Sequence, residues 1–442
     1  MDRNKIKERL ELALKPTKPP TLEEVLEQVS RYGVLRGAID WIFMAWMLYV
    51  EYAAERIAKA FQLSERERSQ LFGFRDAMKQ LLSEAWMRTK EKLTTLYEAI
   101  AEDRYKIESR RLTSRLVAGD GVIHIYNQMY TLILKPHIVY AEFPPLLRNL
   151  RELQIGWVAS DEGRNHTTPR MGTSQPWQLY AWLATRPGKT AVWINHIAIV
   201  KNGISIGVTA EARDWTEQLS RVSALAYVIS EFKKGNWTPF TTAWLGDGGI
   251  TWSDIRRSNY RIRLSIEQKV AEKLGLEVHK NLVLMASGRD SYLKLWSAFP
   301  DDYRRLLTHL NSHKMHYLET IVFEDRRKKF VKESNLKHVE VCGIGFRLRI
   351  RDNTLTLHKY SADVAKLEAV KKHLAECGVE AKIHYTKKSL THELVVKVDE
   401  QVVQRLNREK IIRYLETVPK ERRLRLLKKY PFLSLQPYAE AL

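Results

Sequence analysis

The stretch Ala243-Trp244-Leu245-Gly246-Asp247-Gly248-Gly249-Ile250 decides the reading of this chain. An apolar helix ends there in small residues and an acid, and a strand begins. Small residues at a helix end let a second helix approach closely. The acid then sits at the C-terminal foot of the helix, where the macrodipole disfavours an anion. That placement is costly unless a cation is bound beside it. A carboxylate projecting from a tight helix junction is a sound way to hold Mg2+ near a phosphate.

Working outward, the elements around this stretch read as one αββαββα unit. The short helix FTTAWLGDGG precedes ITWSD and YRIRLSI as hairpin strands. Then come the helix QKVAEKLGL, a second hairpin of NLVLMAS and SYLKLWS, and the helix FPDDYRRLLTHL. Upstream, VIHIYN and YTLILK form a hairpin, and Pro144-Pro145 opens the apolar helical run LLRNLRELQIGWVAS. The strands TAVWINHIAIV and ISIGVTA follow, joined by the turn Lys201-Asn202-Gly203, and then the amphipathic helix ARDWTEQLSRVSALAYVISEFKKG. Downstream, GFRLRIR, TLTLHKY, ADVAKLEAVKKHLAECG, EAKIHYT and HELVVKV repeat the ββαββ order without a leading motif. A basic helical tail carries Arg422, Arg423, Arg425, Lys428 and Lys429. Residues 1–113 read as helices with 3.6-residue apolar spacing. Pro16, Pro19 and Pro20 punctuate their first connection, and Ser64 with Glu67 makes a capping box. The expected fold is α+β: a helical N-terminal domain at 1–113, α+β units at 114–238 and 239–335, and a ββαββ unit at 336–442.

Composition narrows the partners. The 442 residues carry 73 Lys+Arg against 52 Asp+Glu, a net charge of +21, so a polyanion is the expected partner and nucleic acid the default one. Hydrophobics at 44% exclude disorder as the main state. Two cysteines, Cys342 and Cys377, exclude a disulfide framework and a Cys-rich zinc module. Both are expected as buried small apolar residues in a reducing, cytoplasmic interior. Many charges with few Asn, Gln and Cys agree with a thermophilic source. The apolar window Trp41–Val50 is too short to span a bilayer and reads as a buried helix, and the charged start MDRNKIKERLELALKP is no secretory signal. A phosphate loop and a dinucleotide fingerprint are both missing, which disfavours ATP-driven motors and dehydrogenases.

Strand alternation points to nucleic acid independently. Arg261 and Arg263 share one face of YRIRLSI, with Ile262 and Leu264 on the other. Arg347, Arg349 and Arg351 share one face of GFRLRIR. Arginines on one sheet face suit phosphates and guanine edges. Two bland features stand beside these. His309, His313 and His316 read as a polar face of one helical stretch, and Asp120 reads as a turn acid before VIHIYN.

The segment Phe240 to Gly248 resembles the LAGLIDADG homing endonuclease motif in its ending, Gly246-Asp247-Gly248, and departs from it in its polar start, Thr241-Thr242. Tyr260 to Lys269 looks like that family's DNA-reading strand running into the next helix. Upstream, Ile155 to Gly163 resembles a degenerate copy ending at Ser160-Asp161, interrupted by Glu162. Gly172 to Leu183 looks like its strand-to-helix passage, although Pro169 breaks the strand before it. The resemblance implies two packed motif helices, with Asp161 and Asp247 as catalytic acids. It also implies a Mg2+ site on Asp161, Asp247, Gly246 and Ser160, and hydrolysis of both strands of DNA held under saddle-shaped sheets. Arg257, Lys269 and Lys294 join the strand arginines as DNA-contact candidates. Lys294 and Lys280 are the candidates for a basic residue near the metals. The resemblance also implies a chain encoded by a mobile element, acting as a monomer with tandem units or as a homodimer, with double-stranded DNA and no membrane as partner. The alternative is a catalytically inactive nucleic-acid binder on the same scaffold, a regulator or splicing cofactor, which the damaged motif starts and Glu162 favour. A helical scaffold whose charge serves membrane or protein contacts is the third reading.

Overall fold

Short polar side chains set where the long N-terminal helices begin. The computed structural model describes residues 3–109, 113–126, 129–252, 255, 260–323, 337–351, 353–386, 391–406 and 408–433. Helices α1 (Arg3–Leu14), α2 (Leu22–Tyr32), α3 (Ile39–Ala60) and α4 (Glu65–Ala101) open it. Thr21 with Glu24 and Ser64 with Glu67 form capping boxes that close the first turns of α2 and α4. Helix α3 buries Ile42, Phe43, Trp46, Tyr49 and Val50, so the apolar window is a core helix as expected. Among the described residues, no helix is long and apolar enough to cross a membrane.

Backbone contacts divide the chain into two compact units. One is Met1–Trp252 with Tyr292–Val322, and the other is Ser253–Ser291 with Phe323–Leu442. The stretch read as one unit at 239–335 therefore contributes residues to both.

In the first unit, strands β1 (Lys106–Ser109), β2 (Ser114–Ala118), β3 (Gly121–Tyr126), β4 (Met129–Ile133) and β5 (Val139–Phe143) lead into α5 (Arg151–Val158). Then follow β6 (Glu162–Asn165), β7 (Thr168–Thr173), α6 (Pro176–Leu183), β8 (Gly188–Val200), β9 (Gly203–Ala212), α7 (Arg221–Lys234) and α8 (Thr238–Asp247). The sheet runs β1-β2-β3-β4-β8-β9-β7-β6. Strand β8 is long enough to pair with β5 through Gly188–Val192 and with β4 through His196–Ile199. Pro169 does not break β7. It lies beside the edge strand β6, one residue before pairing with β9 begins at Arg170, where a missing donor is tolerated.

In the second unit, β10 (Arg261–Ser265), α9 (Gln268–Lys273), β11 (Val278–His279) and β12 (Leu282–Ser287) form a small antiparallel group in the order β10-β12-β11. Two assignments here are corrected. SYLKLWS is helical, inside α10 (Arg289–Ala298), because its buried residues Tyr292 and Leu295, continued by Phe299, recur every three to four positions. The described residues Ile250–Trp252 of ITWSD form no strand. Helices α11 (Asp301–His309) and α12 (His313–Phe323) follow in the first unit. Asn311, at a φ of 56°, breaks the chain between them, so the three histidines do not share one helix.

The C-terminal sheet holds β13 (His338–Val341), β14 (Ile344–Arg351), β15 (Thr354–Ser361), β16 (Ala381–Thr386) and β17 (Thr391–Lys397), with α13 (Val364–Glu376) between β15 and β16. Its order is β13-β14-β15-β17-β16. The order β14-β15-β17-β16 repeats that of β6-β7-β9-β8, each with a helix after its second strand. Helices α14 (Glu400–Gln404), α15 (Arg408–Glu416) and α16 (Lys420–Lys429) complete the tail, and Tyr430 reaches back so that its hydroxyl accepts the Leu355 N–H at 2.9 Å. Cys342 and Cys377 are partly exposed rather than buried.

A buried ionic network ties α5 to the strands around it. The Arg186 guanidinium contacts Glu162 at 2.7 Å and Glu217 at 3.1 Å, and Arg151 at the start of α5 contacts Glu217 at 2.7 Å. Glu162, the residue that interrupts the upstream motif, also accepts the Trp182 indole N–H at 2.6 Å. Burial alone raises the Glu217 carboxyl, but bonds from Arg151, the Leu219 amide and Arg186 outweigh it and bring the group down to about 2. A carboxylate depressed on folding contributes stability above its ordinary value of 4.5, and that contribution disappears as the pH falls towards 2. Acid titration followed by circular dichroism is therefore expected to show a loss of stability in this window that is smaller in Glu217→Gln, because that variant has already lost the contribution at neutral pH.

Candidate functional site at paired helix tips

Helices α5 and α8 lie side by side, and small residues set their approach. A Cβ built on Gly156 would stand 2.0 Å from Thr242 Oγ1 and 2.1 Å from the Pro239 carbonyl. No side chain fits there. At the tips, a Cβ on Gly246 would stand 2.3 Å from Ser160 Oγ and 3.2 Å from Asp161 Oδ2. The polar start of the downstream motif is explained by the same packing. Thr241 and Thr242 are buried, and Thr242 Oγ1 donates to the Leu153 carbonyl of α5 at 2.8 Å. A hydroxyl thus crosses the helix interface where an apolar side chain was expected.

The close approach brings Asp161 and Asp247 to one place. The Asp247 carboxyl is raised by burial and by the nearby Asp161 charge, against the pull of Arg221 and Lys314. Its Oδ2 accepts from Arg221 Nη2 at 2.6 Å. Asp161 Oδ2 accepts from Gln178 Nε2 at 2.5 Å, and Gln178 is held in turn by Thr173 at 2.5 Å. Lys314, near the start of α12, is buried beside them. Its Nζ donates to the Gly246 carbonyl at 2.7 Å and to the Trp244 carbonyl at 3.0 Å. These belong to the last turn of α8, where the dipole favours a cation; the Trp244 carbonyl also accepts the Gly248 N–H. Burial brings the Lys314 ammonium down to about 8, while Asp161 and Asp247 act to keep it charged. The neighbouring His313 is lowered to about 3 by burial and by the Lys314 charge, and its ring packs 5.5 Å from Trp177.

Arg261 and Arg263 are half-buried on β10 while Ile262 and Leu264 face the core, as the alternation required. Arg347 and Arg349 are exposed on β14, opposite the buried Phe346 and Leu348. Arg349 lies over the Tyr360 ring at 5.2 Å and 4.0 Å from Glu393. Arg351 ends β14, and Lys269 is exposed on α9. Lys294 is exposed on the helix α10 rather than on a strand, and Lys280 occupies the turn between β11 and β12. Arg257 lies outside the described residues. Asp120 is an exposed turn acid paired with Lys92. Ser160 turns its hydroxyl back to the Gly156 carbonyl at 3.0 Å.

Sequence reasoning missed Lys314, Arg221 and Gln178. The signal for Lys314 was a lone lysine inside HKMHYLETIVF, whose other residues Met315, Tyr317, Leu318 and Ile321 are core. A divalent ion at the helix tips would need oxygens from Asp161, Asp247 and the Gly246 carbonyl. One oxygen of Asp161, one of Asp247 and the Gly246 carbonyl each accept a hydrogen bond, from Gln178, Arg221 and Lys314 in turn. Two formal negative charges meet two positive ones. The residues as they stand therefore do not fit a resident metal. Among the described residues, no group of three or more His, Cys, Asp or Glu side chains is gathered for one.

No family model matches the chain, and neither any curated protein nor any solved structure matches it. Gly156→Ala is expected to lower stability by about 2 kcal/mol or more, since backbone must move to admit the methyl group. Gly73→Ala, on an open face of α4, is expected to be neutral or slightly stabilising. Thermal melts of the two variants check this contrast.

Proposed function

We propose that this chain binds double-stranded DNA on a scaffold of the LAGLIDADG endonuclease type, without cleaving it. The observation that carries the reading is the pair of abutting helices, α5 and α8, whose tips bring Asp161 and Asp247 together. Support comes from the strand order shared by β6-β7-β9-β8 and β14-β15-β17-β16. It comes also from arginines placed opposite core residues on β10 and β14, and from the net charge of +21. In this reading Arg261, Arg263, Arg347 and Arg349 contact phosphates and base edges, with Lys269 adding charge. The loss of cleavage is supported by Lys314 and Arg221, which hold the oxygens that a catalytic ion would need.

A second reading, Mg2+-dependent phosphodiester hydrolysis with Asp247 and Asp161 as ligands, is favoured by the acid pair itself. Plasmid DNA separates the two. Nicking that requires Mg2+ and is lost in Asp247→Asn supports the nuclease, and intact plasmid at every Mg2+ concentration supports the binder.

Binding is measured by fluorescence anisotropy on random and selected duplexes in EDTA. Affinity is expected to fall steeply with salt. Arg263→Ala is expected to weaken binding and relax discrimination at one base position by about 1–3 kcal/mol. Arg349→Ala is expected to weaken binding as well. Unchanged affinity in both variants would count against the sheet faces as the DNA surface.

A further inference from the structure

The helix tips present an arrangement that an acid pair awaiting a metal would not. The Lys314 ammonium sits against the Gly246 and Trp244 carbonyls, inside the protein and beside both carboxylates. We propose that Lys314 is a built-in cation that takes the place of a divalent metal at the Asp161–Asp247 pair. The inference rests on the reading of α5 and α8 as paired motif helices, and it deepens that reading by stating how the acids are balanced.

Three observations carry it. The first is position. Gly246 immediately precedes Asp247, so its carbonyl and the Asp247 carboxylate together would face a cation at the helix foot, and Lys314 Nζ is 2.7 Å from that carbonyl. The second is burial. Lys314 is 5% exposed, and a buried ammonium is retained only where negative groups and acceptors surround it. Here it finds two carbonyls of a helix C-terminus and two carboxylates. The third is balance. Arg221 bonds Asp247 from the side, so Lys314 and Arg221 together match the two acids. A divalent ion added to this cluster would meet the buried Lys314 ammonium and the more exposed Arg221 guanidinium.

The consequence is that the acid pair needs no metal to be stable, and that removing the ammonium opens a metal site. The experiment uses the full chain, with Mg2+ and Tb3+ as the probes. For the unaltered protein, exchanging EDTA for Mg2+ is expected to leave the Tm unchanged, and no Tb3+ luminescence dependent on Asp161 is expected. In Lys314→Met, Mg2+ is expected to raise the Tm, and sensitised Tb3+ emission is expected to appear and to vanish when Asp161→Asn is added. A Mg2+-dependent rise in the Tm of the unaltered protein that Asp247→Asn abolishes would overturn the proposal. So would a folded Lys314→Met that gains no Asp161-dependent binding. Should Lys314→Met fold poorly, the variant combining it with Asp161→Asn alone is expected to regain stability, because Arg221 and Asp247 then balance each other. Failure to regain it would also overturn the proposal. Duplex affinity in EDTA is read separately. Its loss would count against the DNA-binding reading while leaving the metal result to stand by itself.

Discussion

The contact between α5 and α8 at Gly156 is the constraint on which the rest depends. A methyl group there would collide with the Thr242 hydroxyl and the Pro239 carbonyl, so the two helices meet backbone to side chain with no room to spare. That distance fixes where their C-terminal tips lie, and hence where Asp161 and Asp247 lie. Two carboxylates brought together at half-buried helix ends repel each other and meet the unfavourable end of the dipole. Some positive group must join them. In this chain the protein supplies it twice, as Lys314 from α12 and as Arg221 from the start of α7.

The surroundings of the tips make sense in the same terms. Gln178 and Thr173 form a short relay that holds one Asp161 oxygen in place. The network of Arg186, Glu162, Glu217 and Arg151 anchors the start of α5 and the strand that leaves its tip. Glu162, a blemish when the motif is read as a string, is here a buried partner of Arg186 and Trp182. The tips are thus braced from both sides by groups that are costly to leave unpaired.

Much of this was legible in the sequence, and the failures have physical causes. Strands β3, β4, β8 and β9, helices α5, α7 and α8, and the order from β14 to β17 follow from alternating and helical apolar spacing, whereas β2, β5 and β6 carry no such signal and are not read from it. The glycines and acids of the two motifs identified the helix tips. SYLKLWS was misread because its apolar residues satisfy a period of two as well as one of three to four over so short a run. Thr241 and Thr242 looked like a defect because a hydroxyl serving a carbonyl on another helix is a tertiary event without a local pattern. Lys314 lies 67 positions beyond Asp247 in a segment that otherwise reads as core, and only the folded chain brings it under α8.

With Lys314 and Arg221 beside Asp161 and Asp247, the proposed state of the helix tips is an ionic cluster that holds no metal. The most direct measurement is a crystal of the protein grown with Mn2+, with anomalous differences collected at the manganese edge. The account predicts no peak between Asp161 and Asp247, with density for the lysine side chain reaching the carbonyl of Gly246. A strong peak bridging the two carboxylates, with that side chain displaced, would contradict it.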